Sequence, residues 1–362
     1  MTTLAAAQTK VSSWLFDHAL PLWGERGVDA QGRFFEQMDF NGRPVTGARR
    51  RTRVQARQTY VFCAAAALGW ERGRAVAQGG LDGMIATCRR EDGLWVAATD
   101  DAGAVLDETP DLYDMAFVLF SLAAAHRVLG DSRARPLALE TLAMIEEMMV
   151  APHGGWQEAL PPRLPRRQNP HMHLLEAVLA WQATASDPAF EAAARVSLGL
   201  CRTRFLIDGA VHEYFTQDWA LDPGTGHILE PGHFEEWAWL LSQAKVAGLD
   251  TAEAAEGLHR RAVAQGLKGG FMIREMDASG APIDAGRRLW CQTEAIRSAL
   301  LFDDAGAVDL IDATFDTHLA TTVPGLWVDS YDADGLSHDE FVPASSLYHL
   351  MTAFTEILAR KS

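Results

Sequence analysis

The segment GRFFEQMDFNGRPV, residues 32–45, sets a glycine before a short aromatic stretch and an Asp-Phe-Asn-Gly turn, and this plan recurs along the chain. It returns as GLWVAATDDAGAV from Gly93, GGWQEAL from Gly154, GAVHEYFTQD from Gly209, GGFMIREMDASGAPI from Gly269 and GLWVDSYDADG from Gly325. The steps between the leading glycines are 61, 61, 55, 60 and 56 residues. An aromatic or β-branched run, an Asp/Asn/Gly turn and a second short run form a hairpin signature. Ala/Leu-rich stretches with helical periodicity separate the copies. They predict helices over 7–22, 53–70, 73–90, 110–129, 133–150, 170–184, 188–205, 229–247, 251–266, 287–302, 305–319 and 343–360, two for each repeat.

One helix of each pair, such as Tyr113–Val128 or the stretch from His233 to 247, is apolar almost all round and so belongs inside. Its partner, such as Thr251–Gln265 with Glu253, Glu256, Arg260 and Arg261, carries a charged outer face. Six such pairs predict an all-α fold, an (α/α)6 barrel of six inner and six outer helices with short β-hairpins in the inter-helix loops, spanning 1–362 as one domain. Closing the ring lets every inner helix bury both flanks. The alternative is an open helical scaffold, but scaffold repeats run about 34–47 residues and rarely carry a hairpin in each unit.

The formal charge of −16, from 32 basic and 48 acidic side chains, argues against nucleic acid or an anionic membrane as partner. A hydrophobic share of 48 % supplies ample core and excludes general disorder. No stretch reads as a membrane span, the longest apolar run, Met115–Ala125, being eleven residues and holding Ser121. The start of the chain has no basic and then apolar leader pattern. Cys63, Cys88, Cys201 and Cys291 are scattered without CxxC spacing, as reduced thiols are, so a cytoplasmic location is expected.

Polar residues recur in one phase of the repeat. Arg57, Tyr113, His173, His233, Gln292 and His349 follow their leading glycines by 25, 20, 19, 24, 23 and 24 residues. Equal phase in a closed ring means equal height, so these side chains are expected to meet in one pocket at the hairpin end. Each of them alone reads equally well as a satisfied core group. Together they form a ring that a barrel does not need for stability, and burying it costs several kcal/mol unless the groups are paired. Asn169, His173 and Glu176 share one helix face, as do His233 and Glu236, and a carboxylate beside an imidazole raises its pKa and fixes its tautomer. Glu236 is therefore expected to orient His233. Trp290, Gln292 and Glu294 offer an aromatic platform with amide and carboxylate groups for sugar hydroxyls, and Asp114 adds an acceptor beside Tyr113. His18, His126, His259 and His318 read as surface or packing residues, whereas His153, His171, His212, His227 and His338 are not placed by the repeat.

A metal is the main rival use for the histidines. No HExxH is present, and the His-x-x-Glu order reverses the Glu-x-x-His of di-iron bundles, so no metal is expected. Neither a Walker loop nor a dinucleotide fingerprint follows a strand, so no nucleotide cofactor is expected either.

At VQARQTYVF (54–62), DLYDMAF (111–117), NPHMHLLEA (169–177), EPGHFEEW (230–237), RRLWCQTEA (287–295) and PASSLYHL (343–350) the sequence resembles the N-acylglucosamine 2-epimerase superfamily, in particular its mannose isomerase-like branch. The resemblance implies an (α/α)6 barrel acting on a free monosaccharide without a cofactor. It implies that His233 and His349 are the acid/base pair and that Arg57 faces the reactive oxygens. It implies that Asn169, His173 and Glu236 bind or support substrate, and that Tyr113, Trp290 and Gln292 line the pocket. Cys291 stands where many mannose isomerases carry proline.

The chemistry implied is aldose–ketose isomerisation, with D-mannose and D-fructose as the expected pair. Histidine titrates near neutrality and can act as acid and base in one turnover through a cis-enediol, while Arg57 stabilises the oxyanion. The same residues serve a 2-epimerase. Arg49, Arg50, Arg51, Arg53, Arg163, Arg166 and Arg167 flank pocket loops and suit a phosphosugar, or else form a solvated surface. A glycoside hydrolase would draw two carboxylates from Glu176, Glu236 and Glu294 and leave the histidines idle. A non-enzymatic sugar-binding scaffold would bind without proton exchange. A monomer or homodimer is expected.

Overall fold

The computed structural model describes residues 3–185, 187–246 and 251–360. Within them the chain is mostly helical, with twelve helices close to the places the periodicity predicts. Helix α1 covers 4–26 in three continuous pieces, Leu4–Ser13, a wider π stretch Trp14–Ala19, and Leu20–Arg26. There follow α2 (Thr52–Ala67), α3 (Gly73–Cys88), α4 (Leu112–Leu129), α5 (Ala134–Met148), α6 (Asn169–Thr184) and α7 (Pro188–Leu200). The rest are α8 (Pro231–Val246), α9 (Ala252–Arg261), α10 (Leu289–Leu301), α11 (Ala307–Thr317) and α12 (Leu347–Ala359). The end expected for α8 at 247 lies outside the described residues.

Each even-numbered helix packs against the next, and α12 packs against α2, so the six form a closed ring. The odd-numbered helices lie outside it: α3 on α2, α5 on α4, α7 on α6, α9 on α8, α11 on α10, and the N-terminal α1 on α12. Helix α4 corrects one expectation, because at 18 residues it is long and apolar enough to cross a membrane. Its apolar circumference is used instead to pack between α2 and α6, with α5 behind it. The Asp111 carboxylate caps it by accepting from the backbone N–H groups of Tyr113 and Asp114, at 2.9 and 3.3 Å. A cap of this kind stabilises a helix by about 1 kcal/mol.

The recurring glycines sit at the tips of turns with positive φ, from 57° at Gly269 to 91° at Gly154 and Gly325. At Gly32 no other residue fits, since a Cβ would lie 2.6 Å from the Gly79 carbonyl oxygen. Two residues beyond the glycine a bulky apolar side chain is buried: Phe34, Trp95, Trp156, Val211 and Trp327. Truncating such an aromatic residue to Ala costs about 3–5 kcal/mol, so these side chains pin the turns to the helical layers. The second turn of several copies is closed by an aspartate. Asp39, Asp100, Asp277 and Asp332 each accept from the backbone N–H groups two and four residues on.

Antiparallel pairs of two or three residues join these segments, some within a repeat (206–207 with 210–211, 267–268 with 271–272) and others between repeats. A residue one to four positions before each inner helix pairs with the hairpin of the following repeat. These pairs are Arg51 with Ala98, Asp111 with Ala159, Arg167 with Tyr214, Leu229 with Met276, Arg288 with Ser330, and Pro343 with Gln37. The last pair ties the sixth repeat to the first. Inner-helix N-termini are thereby held in one layer at the hairpin end.

Candidate active site

A cavity of about 410 Å³ opens at that layer. Arg57, Tyr113, Asn169, His173, His233, Glu236, Trp290 and His349 all line it, so the two histidines expected to act together face one cavity. The Trp290 ring lies between them, with centroids 4.8 Å from His233 and 6.0 Å from His349. Gly232 permits this approach, because a Cβ there would come within 2.8 Å of the indole.

Four expected residues stand elsewhere. Asp114 lies behind the wall in an ion pair with Arg53 at 2.6 Å, its carboxyl pushed up to about 7 by burial against the pull of Arg53. Gln292 clamps a strand, accepting from Met272 N–H at 2.8 Å and donating to the Met272 and Arg288 carbonyls at 2.9 and 3.0 Å. Gln55 does the same for Phe34, with both bonds at 2.8 Å. Gln55 and Gln292 are thus the equivalent pair, and the repeat-mate of Arg57 is Glu294, two residues beyond Gln292. Glu294 and Glu176 lie below the cavity, each supporting a histidine. The reason is geometric: three residues along a helix is a descent of about 4.5 Å. Arg57 and Tyr60, His173 and Glu176, Glu294 and Arg297, and His349 and Thr352 are such pairs, and the second of each lines a separate cavity of about 620 Å³ toward the other end.

The same descent overturns the role expected for Glu236. It sits on the pocket floor, 3.7 Å from His173 Nε2, and does not orient His233. The partners of His233 come from the hairpin layer: Nδ1 donates to Glu213 Oε2 at 3.0 Å and lies 3.5 Å from Glu230 Oε2. Glu213 escaped the helix-based reading, yet it carries a periodic signal, since Glu36, Glu158, Glu213 and Asp329 all fall four residues after a repeat glycine.

Electrostatics divide the two histidines. Burial disfavours a charged His233, but the Glu213 and Glu230 carboxylates outweigh it and push the pKa up to about 10. Its Nε2 lies 3.1 Å from the Asn169 side-chain amide, whose Oδ1 is buried without a partner; turned over, the amide gives the charged ring an acceptor. His349 is moved the other way. Burial lowers its pKa despite Glu294, and its Nδ1–H donates to Glu294 Oε1 at 2.8 Å, leaving Nε2 as a base. Glu294 stays ionised, held down at about 2 against burial by Arg297, which donates to its other oxygen at 2.6 Å, and by His349.

The floor sets one cation against two ionised carboxylates. Arg297 serves Glu294 and Glu176, both held below the ordinary carboxylate range. Glu236 is pushed well above it by burial and by the charges of Glu294 and Glu176, which favours its protonated form. His173, lowered to about 4 by burial, is neutral and donates from Nδ1 to Glu176 Oε2 at 2.9 Å. The Tyr348 hydroxyl donates to Glu176 Oε1 at 2.5 Å. Arg57 donates to Tyr113 Oη at 2.7 Å, stacks 4.0 Å from the Phe117 ring, and has no carboxylate partner among the described residues.

Among the described residues, three groups have donor atoms close enough to hold a metal: His173, Glu176 and Glu236; Glu213, Glu230 and His233; and Glu236, Glu294 and His349. In each, a histidine nitrogen is already hydrogen-bonded to a carboxylate. Of the loop arginines singled out in the sequence, Arg51, Arg53 and Arg167 line the cavity. Arg49, Arg50 and Arg163 are paired away from it with Asp107, Asp29 and Asp101, and Asp111, while Arg166 is held by backbone carbonyls and the Trp219 ring. Arg274 and Arg288 also line it. All four cysteines are free and buried, Cys291 in the cavity wall.

The family described as N-acylglucosamine 2-epimerase matches residues 33–353. The chain is 36 % identical over 377 residues to a protein of Rhizobium meliloti named mannose-6-phosphate isomerase, covering 96 % of both chains. It is 29 % identical over 367 residues to a D-mannose isomerase of Thermobifida fusca, covering 90 % of this chain and 88 % of that one. A cellobiose 2-epimerase from Spirochaeta thermophila has the same fold, with a TM-score of 0.85 at 23 % identity over 98 % of this chain and 96 % of its own.

Proposed function

The chain belongs to the N-acylglucosamine 2-epimerase family, a family of sugar isomerases and epimerases, and from that premise we propose that it is an (α/α)6-barrel aldose–ketose isomerase for the D-mannose/D-fructose pair. The observation that carries this reading is the pair of imidazoles facing one small cavity, each tied through Nδ1 to a carboxylate and the two shifted in opposite directions by their surroundings. His233 enters the reaction as an acid and His349 as a base, which is what moving a proton between adjacent carbons of a sugar demands.

In this mechanism His233 protonates the ring oxygen while His349 Nε2 takes the proton of the O1 hydroxyl, which breaks the C1–O5 bond and opens the pyranose, and proton exchange with solvent restores both rings. The neutral Nε2 of His349 takes the proton from C2, and Glu294 stabilises the imidazolium that forms. The Arg57 guanidinium, lacking a carboxylate partner, stabilises the negative charge that develops on the sugar oxygens. His233 then gives a proton to O1 and takes the one on O2, and His349 returns its proton to C1, so that the C1–O1 carbonyl becomes an alcohol and C2–O2 the ketone. Trp290 supplies a flat face for the sugar, and Asn169, Tyr113 and His173 supply hydrogen bonds to hydroxyls. Glu236, holding its proton, donates where an ionised carboxylate would repel the enediolate. No step uses a metal.

Return of the proton to C2 from the opposite face would give a 2-epimer, and the names of the relatives include both outcomes. Incubating D-mannose with the protein in deuterated water and following the products by NMR tests the reading. Fructose carrying deuterium or transferred hydrogen at C1 is expected. Glucose as the first product would move the assignment to an epimerase, and unchanged mannose would remove it for the free sugar.

A further inference from the structure

We propose that Arg51, Arg167 and Arg288 form a phosphate-binding rim on the cavity, so that the sugar processed best carries a phosphomonoester at the end remote from its carbonyl. The proposal rests on the isomerase reading for the identity of the sugar, but not for the rim itself. The three arginines are structural equivalents, each one or two residues before an inner helix and each paired with the following hairpin, at Ala98, Tyr214 and Ser330. They belong to the first, third and fifth repeats, so a closed ring of six spaces them evenly round the mouth. The other three equivalent positions hold Asp111, Leu229 and Pro343.

Depth separates this rim from the chemistry. The side chains of Arg51, Arg167 and Arg288 are 34, 39 and 42 % exposed, against 5 % for His233 and 8 % for His349. A hexose whose carbonyl end lies between the histidines presents its other end to the rim. Each guanidinium is anchored to one carboxylate: Arg51 to Glu36, Arg167 Nε to Glu158 at 2.7 Å, and Arg288 Nη2 to Asp329 at 2.8 Å. These anchors occupy part of each fork. Arg167 donates from neither Nη among the described residues, and Arg51 and Arg288 each keep Nη1 uncommitted. A fork fixed by a carboxylate loses little freedom when it binds, and arginine matches phosphate geometry bidentately.

The test compares D-mannose 6-phosphate with D-mannose as substrates, and titrates the protein calorimetrically with inorganic phosphate. The wild type is expected to favour the phosphate ester in kcat/KM and to bind inorganic phosphate. Arg167→Gln is expected to lower the ester-to-free-sugar ratio by about ten-fold or more, chiefly through KM, the size of a lost charge-assisted hydrogen bond. Arg167→Lys keeps a cation beside Glu158 and is expected to fall between the two. Turnover of mannose with no preference for the ester, or phosphate binding unchanged in Arg167→Lys and Arg167→Gln, overturns the rim. If neither sugar reacts, the isomerase reading fails, and the phosphate titration still decides the rim by itself.

Discussion

Replacing Glu213 by glutamine keeps the shape of a buried side chain and removes the carboxylate that lies 3.0 Å from His233 Nδ1. In the wild type burial opposes the charge on His233, and Glu213 and Glu230 together hold the pKa up at about 10. A hydrogen bond to a charged group contributes about 1.5–3 kcal/mol. At 1.36 kcal/mol per pH unit its loss lowers the pKa by about one to two units, to about 8–9. Since His233 is needed as an acid, kcat/KM for D-mannose should lose its alkaline limb one to two units earlier in Glu213→Gln, with the acid limb unmoved. Stability gives a second readout. The folded pKa of His233 lies above its unfolded value near 6.5, so its contribution is complete below about pH 6.5 and is lost as pH rises toward about 10. Glu213→Gln should narrow that window, and melting temperatures of the two proteins should draw together above about pH 9. Glu236→Gln is the comparison, because Glu236 makes no hydrogen bond to His233 and is the smallest of the causes raising its pKa, so it should move the alkaline limb less than Glu213→Gln does. An alkaline limb that moves in Glu236→Gln and stays fixed in Glu213→Gln would refute the assignment of partners.

Four further outcomes follow from the same geometry. The acid limb of kcat/KM should lie below the ordinary histidine value of 6.5, because burial lowers the pKa of His349 and the neutral ring is the base; an acid limb above 7 in the pH–rate profile would contradict this. His349→Ala and His233→Ala should each lower turnover about 10²- to 10⁴-fold with the circular dichroism spectrum retained. Gln292→Ala should leave the Met272 N–H and carbonyl unpaired and cost about 1–3 kcal/mol in urea denaturation, with kcat of the folded enzyme nearly unchanged. EDTA should not alter activity; a loss restored by one divalent ion would show that one of the three His/Glu groups holds a metal in the working enzyme.

The helices and their alternation were legible because the repeat is written twice over, in the turn glycines and in the contrast between apolar and charged helices. Long apolar segments such as Leu112–Leu129 admit one reading once six of them recur. The pocket was legible in part. Phase within the repeat brought out Arg57, Tyr113, His173, His233 and His349, all on one cavity. It failed at Gln292 because a shift of two residues on a helix turns a side chain by about 200°, from the lumen toward the strand layer. It also failed for Glu236, where i,i+3 spacing was taken as contact although it also means depth, whereas the same spacing does join Glu176 to His173. Depth is why Glu236 and Glu176 lie below the level of His233 and why Glu213, contributed by a hairpin, takes the place expected for Glu236. The rim arginines were visible as charges, but which of them face the cavity is fixed by pairing between repeats, which no single repeat encodes.

The measurement that bears most directly on the whole account is 15N NMR of histidine-labelled protein at pH 7.5, with His233 and His349 assigned from His233→Gln and His349→Gln. One ring should be a full imidazolium with both nitrogens protonated, at His233, and the other neutral with its proton on Nδ1, at His349. Two neutral rings, or the charge found on His349 instead, would contradict it.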